Sequence, residues 1–68
     1  PIFPNPSNGN VFFNNDNIKE IKITDITGKK INFDWLSNSQ IFISQKGCFI
    51  LEITDKNNRK KAEKLVIF

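Results

Sequence analysis

Apolar and polar side chains alternate along most of this 68-residue chain. The apolar positions recur with a period of two, and they do not keep the i, i+3, i+4, i+7 spacing of an amphipathic helix. Such alternation places apolar side chains on one face of a β-strand and polar side chains on the other. The pattern therefore predicts strands and no helix.

Six segments carry the alternation and are separated by turn-forming residues. The predicted strands are residues 10–13, 18–25, 31–35, 41–43, 47–54 and 60–67. The third has the most regular pattern, because Ile31, Phe33 and Trp35 fall on the same face. We expect these three large side chains to lie together on a buried face.

Three polar segments predict where the chain reverses direction. The run of Asn and Asp at 14–17 is typical of a turn, since these side chains bond to nearby backbone. Asp25 and Gly28 are the preferred first and fourth residues of a type I turn with a G1 bulge, which predicts a hairpin. Asn57 and Asn58 predict a second, tight hairpin, since Asn tolerates positive φ angles.

Short strands joined by frequent turns are typical of a sandwich or a small barrel. We expect an all-β fold, a small Ig-like antiparallel β-sandwich of about six to seven short strands. A single open sheet would leave its face of Phe and Trp side chains in water, which favours aggregation. A chain of this length has room for one domain. Because it begins with Pro1, we expect residues 1–68 to be one domain of a larger protein.

The charge distribution excludes few partners. Ten basic and seven acidic residues leave a net charge of +3, and the basic residues concentrate between Lys56 and Lys64. Lys on an edge strand commonly prevents pairing between sheets, which explains this cluster without a nucleic-acid partner. Apolar runs are shorter than the roughly 18 residues that a membrane-spanning helix needs. We expect neither nucleic acid binding nor a transmembrane segment.

Residues for catalysis or metal binding are scarce. The chain has no His, so Cys48 lacks the commonest activating base and is expected to pack as a small apolar residue. Four Asp residues fall in or beside predicted turns, and the three Gly are isolated from any phosphate-binding pattern. The sequence predicts no catalytic residue, no metal site and no cofactor.

Four segments together resemble a known family. They are Pro4-Asn5-Pro6-Ser7-Asn8-Gly9, residues 21–29, residues 47–53 and residues 60–68. In order and spacing they are similar to the C-terminal sorting domain of the bacterial type IX secretion system, type A. The resemblance covers essentially the whole chain.

The resemblance implies a secretion signal without enzymatic activity. In this family a β-sandwich at the end of a cargo protein directs that cargo from the periplasm across the outer membrane, so that it is secreted or reaches the cell surface. The implied partners are the type IX translocon, its outer-membrane shuttle protein and a cell-surface sortase. In the family, the sortase commonly removes the domain and anchors the cargo to lipopolysaccharide.

The family motifs fall on specific positions. Pro4, Asn5, Pro6 and Gly9 match the opening motif, Asp25 and Gly28 the central turn, and Gly47 and Phe49 a Gly-x-Tyr pattern in which Phe replaces Tyr. Lys64, Leu65, Val66, Ile67 and Phe68 match the family's basic-then-apolar end, and the resemblance implies that the translocon reads these residues. The same residues also have structural interpretations: Pro favours an extended chain, the turn closes a hairpin, and Leu65 and Ile67 fill the core.

Two other functions are alternatives for a small all-β domain, and only the first of them keeps the Ig-like fold. The first is an adhesion or carbohydrate-binding accessory module of an extracellular enzyme, and the second is a small nucleic-acid-binding barrel. Sugar sites commonly need an exposed aromatic platform, so the exposure of Trp35 separates the first alternative from the sorting domain. Salt-dependent binding to oligonucleotides would identify the second.

Overall fold

The computed structural model describes residues 2–3, 6–13 and 17–68. These residues form seven strands and no helix: β1 (Ile2–Phe3), β2 (Asn10–Phe13), β3 (Ile18–Asp25), β4 (Asp34–Ser37), β5 (Gln40–Phe42), β6 (Gly47–Asp55) and β7 (Lys60–Ile67). The expected all-β fold is confirmed. The strand β1, which pairs with β2, is an addition to the six strands predicted from the alternation.

The strands form two antiparallel sheets. One has the order β1-β2-β5-β4 and the other the order β3-β6-β7. In the second sheet β6 is central and pairs with β3 on one side and β7 on the other. The expected sandwich of about six to seven strands is thus confirmed.

The core draws apolar side chains from both sheets. Its buried residues are Val11, Phe13, Ile21, Ile23, Ile31, Ile41, Ile43, Phe49, Leu51, Leu65 and Ile67. In β3, β6 and β7 they occupy alternate positions, as the period of two requires. Burial of one such side chain stabilises a fold by about 1.5–3 kcal/mol, and these contacts hold the two sheets together.

The third predicted strand is wrong in its position. Residues 31–33 lie outside any strand, and β4 begins at Asp34. Beyond the turn, the chain pairs with β3 only as far as Ile31, whose N–H donates to Ile23 over 2.8 Å. It then crosses to the other sheet, where Trp35 pairs with Ile41. The regular alternation therefore spans a crossover between sheets.

Burial along this crossover also differs from the expectation. Ile31 is buried and Phe33 is partly buried, but Trp35 is 47% exposed. The prediction that Trp35 is buried is wrong, because β4 lies at the edge of its sheet and all four of its residues are exposed.

Both predicted hairpins form, but the second differs in detail. In the first, the N–H of Gly28 donates to the carbonyl of Asp25 over 3.1 Å, and Gly28 has a φ of 90°. In the second, only Asn58 has a positive φ, 63°, and its N–H donates to the carbonyl of Asp55 over 3.0 Å. The second turn therefore has the same three-residue loop as the first. The predicted turn at 14–17 lies outside the described residues except for Asn17.

Candidate functional site

The opening motif and the end of the last strand lie side by side. The N–H of Ser7 donates to the carbonyl of Val66 over 2.8 Å, and the N–H of Phe68 donates to the carbonyl of Ser7 over 2.9 Å. These two bonds form a parallel bridge between Ser7 and Ile67. Two family motifs at opposite ends of the sequence thus belong to one structural site.

The side chain of Ser7 fixes the turn that leads away from this bridge. Ser7 is fully buried, with 0% of its surface exposed. Its Oγ accepts a hydrogen bond from the N–H of Gly9 over 3.0 Å and donates one to the carbonyl of Asn10 over 2.6 Å. Both capacities of the hydroxyl are used, which is what a buried polar group requires.

Gly9 is the position of the opening motif where a side chain cannot fit. Its φ is 119°, and a Cβ there would lie 2.8 Å from the carbonyl oxygen of Ile43 and 2.9 Å from the ring of Phe42. The carbonyl of Gly9 accepts a hydrogen bond from the N–H of Ile43 over 2.9 Å. Gly is needed here for close backbone approach. Of the other motif positions, Pro6 is exposed, and Pro4 and Asn5 lie outside the described residues.

The last strand divides the predicted recognition residues into two sets. Leu65 and Ile67 are buried in the core, whereas Lys64 is exposed, Val66 is partly exposed and Phe68 is 67% exposed. This division follows from the alternation of side chains along a strand. Of the five residues from Lys64 to Phe68, only three can offer their side chains to a partner.

The neighbouring strand β6 adds two side chains to this outer face. Cys48 pairs with Val66, and Ile50 pairs with Lys64. Cys48 is exposed and Ile50 is 38% exposed. The expectation that Cys48 packs as a small apolar residue is wrong, because the inner positions of β6 are taken by Phe49 and Leu51. The period of two along this strand is the signal that puts Cys48 and Ile50 on one face.

The central turn lies at the same end of the sheet. Asp25 pairs with Phe49, which in turn pairs with Leu65. Two residues further along, Gly47 pairs with Ile67, which is also bridged to Ser7. Residues from four segments of the sequence therefore converge at one end of the three-stranded sheet.

The carboxylate of Asp25 organises the turn. Its Oδ1 accepts hydrogen bonds from the N–H of Thr27 over 2.9 Å, the hydroxyl of Thr27 over 2.6 Å and the N–H of Lys29 over 2.9 Å. The bond from the Thr27 hydroxyl, followed by that from the Lys29 N–H, lowers the pKa of Asp25 below its ordinary value. The ionised carboxylate is thus part of the folded turn.

The Gly47 and Phe49 pair completes the cluster. Gly47 has a φ of 135°, which residues with a side chain rarely adopt. Phe49 is buried, and its ring carbon Cζ lies 3.8 Å from the place where a Cβ of Gly47 would be. Gly47 therefore lets the chain turn into β6 while Phe49 anchors that end of the strand in the core.

Comparison with known proteins shows the family of this chain. The sequence model of the family described as the secretion system C-terminal sorting domain matches residues 1–68. The chain belongs to this family. No curated protein and no solved structure matches it.

Membership establishes the general role of this sorting domain. The family consists of C-terminal sorting signals of the type IX secretion system and is not an enzyme family. The domain is the sorting tail of a cargo protein. It implies export through the outer membrane to the cell surface or the extracellular space.

Neither a membrane-spanning helix nor a metal-binding cluster is found in the described part of the sorting domain. Among the described residues, no helix has the length and apolar character that crossing a membrane requires. The same part of the chain contains no group of three or more His, Cys, Asp or Glu side chains that could hold a metal ion.

Trp35 lies on the other sheet of the sorting domain, outside the cluster of family motifs. The centroid of its ring system lies 6.2 Å from that of Phe13, with a tilt of 44°, and 6.0 Å from that of Phe33, in an edge-on arrangement. Its side chain is half-exposed, as expected for the aromatic platform of a sugar-binding module. The family match favours the sorting function, and Trp35 remains a separate surface feature.

Proposed function

We propose that the type IX translocon and its outer-membrane shuttle protein recognise this sorting domain through residues 64–68. The observation that carries the proposal is the position of Phe68, which is 67% exposed yet hydrogen-bonded through its N–H to Ser7. Aromatic side chains that fill a pocket of the partner are common anchors of protein interfaces. The family's sorting role supplies the reason for such an anchor.

The chemistry of the outer face defines the partner. Lys64 offers a positive charge, whereas Val66 and Phe68 offer apolar surface. A matching site on the export machinery would combine an apolar pocket with a carboxylate. Leu65 and Ile67 contribute only through the core, because both are buried.

The opening motif is the expected junction between the sorting domain and its cargo. We expect residues 1–68 to belong to one sorting domain, covalently attached to an upstream cargo, with sortase cleavage close to Pro4, Asn5 and Pro6. Mass spectrometry of the cargo's new carboxyl terminus would locate the cut. A cut within β3 to β7 would contradict this assignment, because it would divide the sheet that carries residues 64–68.

The direct test fuses residues 1–68 to the carboxyl terminus of a periplasmic reporter in a host with a type IX system. We expect the reporter at the cell surface or in the medium. A reporter that stays in the periplasm while its fused sorting domain is folded and intact would show that this domain is not sufficient for sorting.

Point variants then test residues 64–68. Lys64→Ala and Phe68→Ala are expected to lower export while circular dichroism remains unchanged, since both side chains are exposed. Lys56→Ala and Leu36→Ala are matched controls, because each removes an exposed basic or apolar side chain elsewhere: Lys56 lies in the turn at the opposite end of β6, and Leu36 lies on the other sheet. Export at the wild-type level in both test variants would overturn recognition through these side chains.

A second candidate function is carbohydrate binding at Trp35, which is half-exposed on the edge strand β4. An indole presents a large apolar face on which a sugar ring can stack. Titration of the domain with soluble polysaccharides should change the Trp35 fluorescence if this function is present. Unchanged fluorescence, together with normal export of Trp35→Ala, would remove it.

A further inference from the structure

We infer that Ser7 is a positioning residue, which clamps the backbone at the end of β7 so that the exposed side chain of Phe68 projects from an ordered strand end. This inference rests on the proposed recognition of residues 64–68. It assigns to the opening motif a role in recognition itself, in addition to the junction with the cargo. The clamp consists of the parallel bridge between Ser7 and Ile67.

The position of β7 explains why its end needs a partner. It is an edge strand, paired with β6 on one side. The pairing with β6 runs from Lys60 to Ile67 and ends one residue before Phe68. The N–H of Phe68 is instead bonded to Ser7 over 2.9 Å. Ser7 therefore extends the ordered backbone as far as the exposed aromatic side chain.

Ser7 is itself fixed from two directions. Its backbone pairs with Val66 and Phe68 in the three-stranded sheet, whereas its hydroxyl bonds to Gly9 and Asn10 at the start of β2. It thus links the end of one sheet to the first residues of a strand in the other. Because Ser7 is fully buried, a residue without a hydroxyl would leave the carbonyl of Asn10 and the N–H of Gly9 short of a partner.

Loss of the clamp should act locally. Strand ends that lose hydrogen bonds open without unfolding the whole domain. A frayed Phe68 would have to be ordered again when the partner binds, and this ordering weakens binding. The expected result is weaker recognition of a domain that is otherwise folded.

The test uses Ser7→Gly, which removes the hydroxyl and adds backbone freedom without adding volume. Ser7→Ala is the second variant, and Ser44→Ala is the control because Ser44 is exposed in the loop before β6. Ser7→Gly keeps the backbone groups that bond to Val66 and Phe68 but loses the hydroxyl bonds to Gly9 and Asn10 that hold this backbone in place. Amide hydrogen exchange at Phe68 should therefore be about tenfold faster. The amides of Ile23 and Leu51 in the core strands should keep their protection.

Export of the reporter fusion should fall several-fold in Ser7→Gly, less in Ser7→Ala, and not at all in Ser44→Ala. Unchanged exchange at Phe68 would overturn the clamp. Faster exchange with normal export would show that the machinery does not depend on it. Loss of protection throughout the domain would show that Ser7 acts on global stability, which also overturns a local clamp.

Phe68→Ala separates this inference from the function on which it rests. If Phe68→Ala lowers export and Ser7→Gly does not, only the clamp is wrong. If Phe68→Ala and Lys64→Ala are both exported normally, recognition through residues 64–68 fails, whatever Ser7 does. The two failures are therefore distinguishable in a single set of fusions.

Discussion

Asp25 and Asp55 hold equivalent positions in the two hairpin turns of the three-stranded sheet. The Oδ1 of each accepts hydrogen bonds from the N–H groups two and four residues further along the chain. The distances are 2.9 and 2.9 Å at Asp25, and 2.8 and 2.9 Å at Asp55. Asp25 pairs with Phe49 beside the family motifs, whereas Asp55 pairs with Ile18 at the opposite end. The chain thus contains a matched control for its central motif.

This equivalence predicts separate effects on stability and on export. Asp25→Ala and Asp55→Ala should each lower the melting temperature by about a few degrees, since each removes a side-chain acceptor from a turn. Only Asp25→Ala should also lower reporter export, because only its turn lies beside the candidate site. Thermal denaturation and the export assay check the two effects. Equal export of both variants would mean that the Asp25 turn matters for folding alone.

The Asp25 turn also predicts a dependence on pH. The hydrogen bond from the Thr27 hydroxyl is the main cause of the lowered pKa of Asp25. The folded state therefore binds the proton more weakly than the unfolded chain, so the stabilisation is complete above the unfolded pKa of about 4. It is lost as the pH falls through the lower folded pKa. The effect is small because the carboxylate is exposed to solvent screening.

The measurement compares melting temperatures of wild type and Asp25→Asn between about pH 6 and pH 2 at low ionic strength. The wild type should lose more stability than Asp25→Asn towards the acid end, because only the wild type has a carboxylate at position 25 that becomes protonated there. Parallel curves for the two proteins would show that this carboxylate does not contribute.

Gly9 and Gly28 predict two different costs of adding a methyl group. Both have positive φ angles, but a Cβ at Gly9 would lie within 3 Å of Ile43 and Phe42, whereas a Cβ at Gly28 meets open space. Gly28→Ala should therefore cost only backbone strain, about 1 kcal/mol. Gly9→Ala adds overpacking and should cost about 2–4 kcal/mol in total.

Urea denaturation measures both glycine variants by the same method. The slope of the transition should stay constant, which shows that the midpoint reports stability. Equal losses at Gly9 and Gly28 would contradict the close approach of Gly9 to the strand β5.

The alternation of side chains predicted the three-stranded sheet well. Strands β3, β6 and β7 are long and stay in one sheet, so their inner positions follow the period of two without interruption. The segment from Ile31 to Trp35 has an equally regular pattern but passes from one sheet to the other. Periodicity reports the local direction of side chains and not which strand lies opposite, so the exposure of Trp35 could not be predicted.

The candidate site was only partly visible in the sequence. Its motif positions were identified in four separate segments by their resemblance to the family, and the alternation predicted which side chains of β7 face outward. The bridge between Ser7 and Ile67 joins backbone groups from the two ends of the chain. No side-chain pattern encodes a backbone contact between such distant residues, so the clamp is visible only in the structure.

The outer face of β6 predicts one further recognition residue. Ile50 is 38% exposed and pairs with Lys64, so a partner that contacts Lys64 and Phe68 would lie close to Ile50. Ile50→Ala should lower export several-fold while changing stability by less than about 1 kcal/mol, as is usual for surface positions. Leu36→Ala is the control, because Leu36 is 55% exposed on the other sheet. If both variants are exported like the wild type, the surface that the partner contacts does not extend from β7 to Ile50 on β6. If Ile50→Ala and Leu36→Ala lower export equally, the cause is a general loss of exposed apolar surface. A local contact with the partner would lower export only in Ile50→Ala.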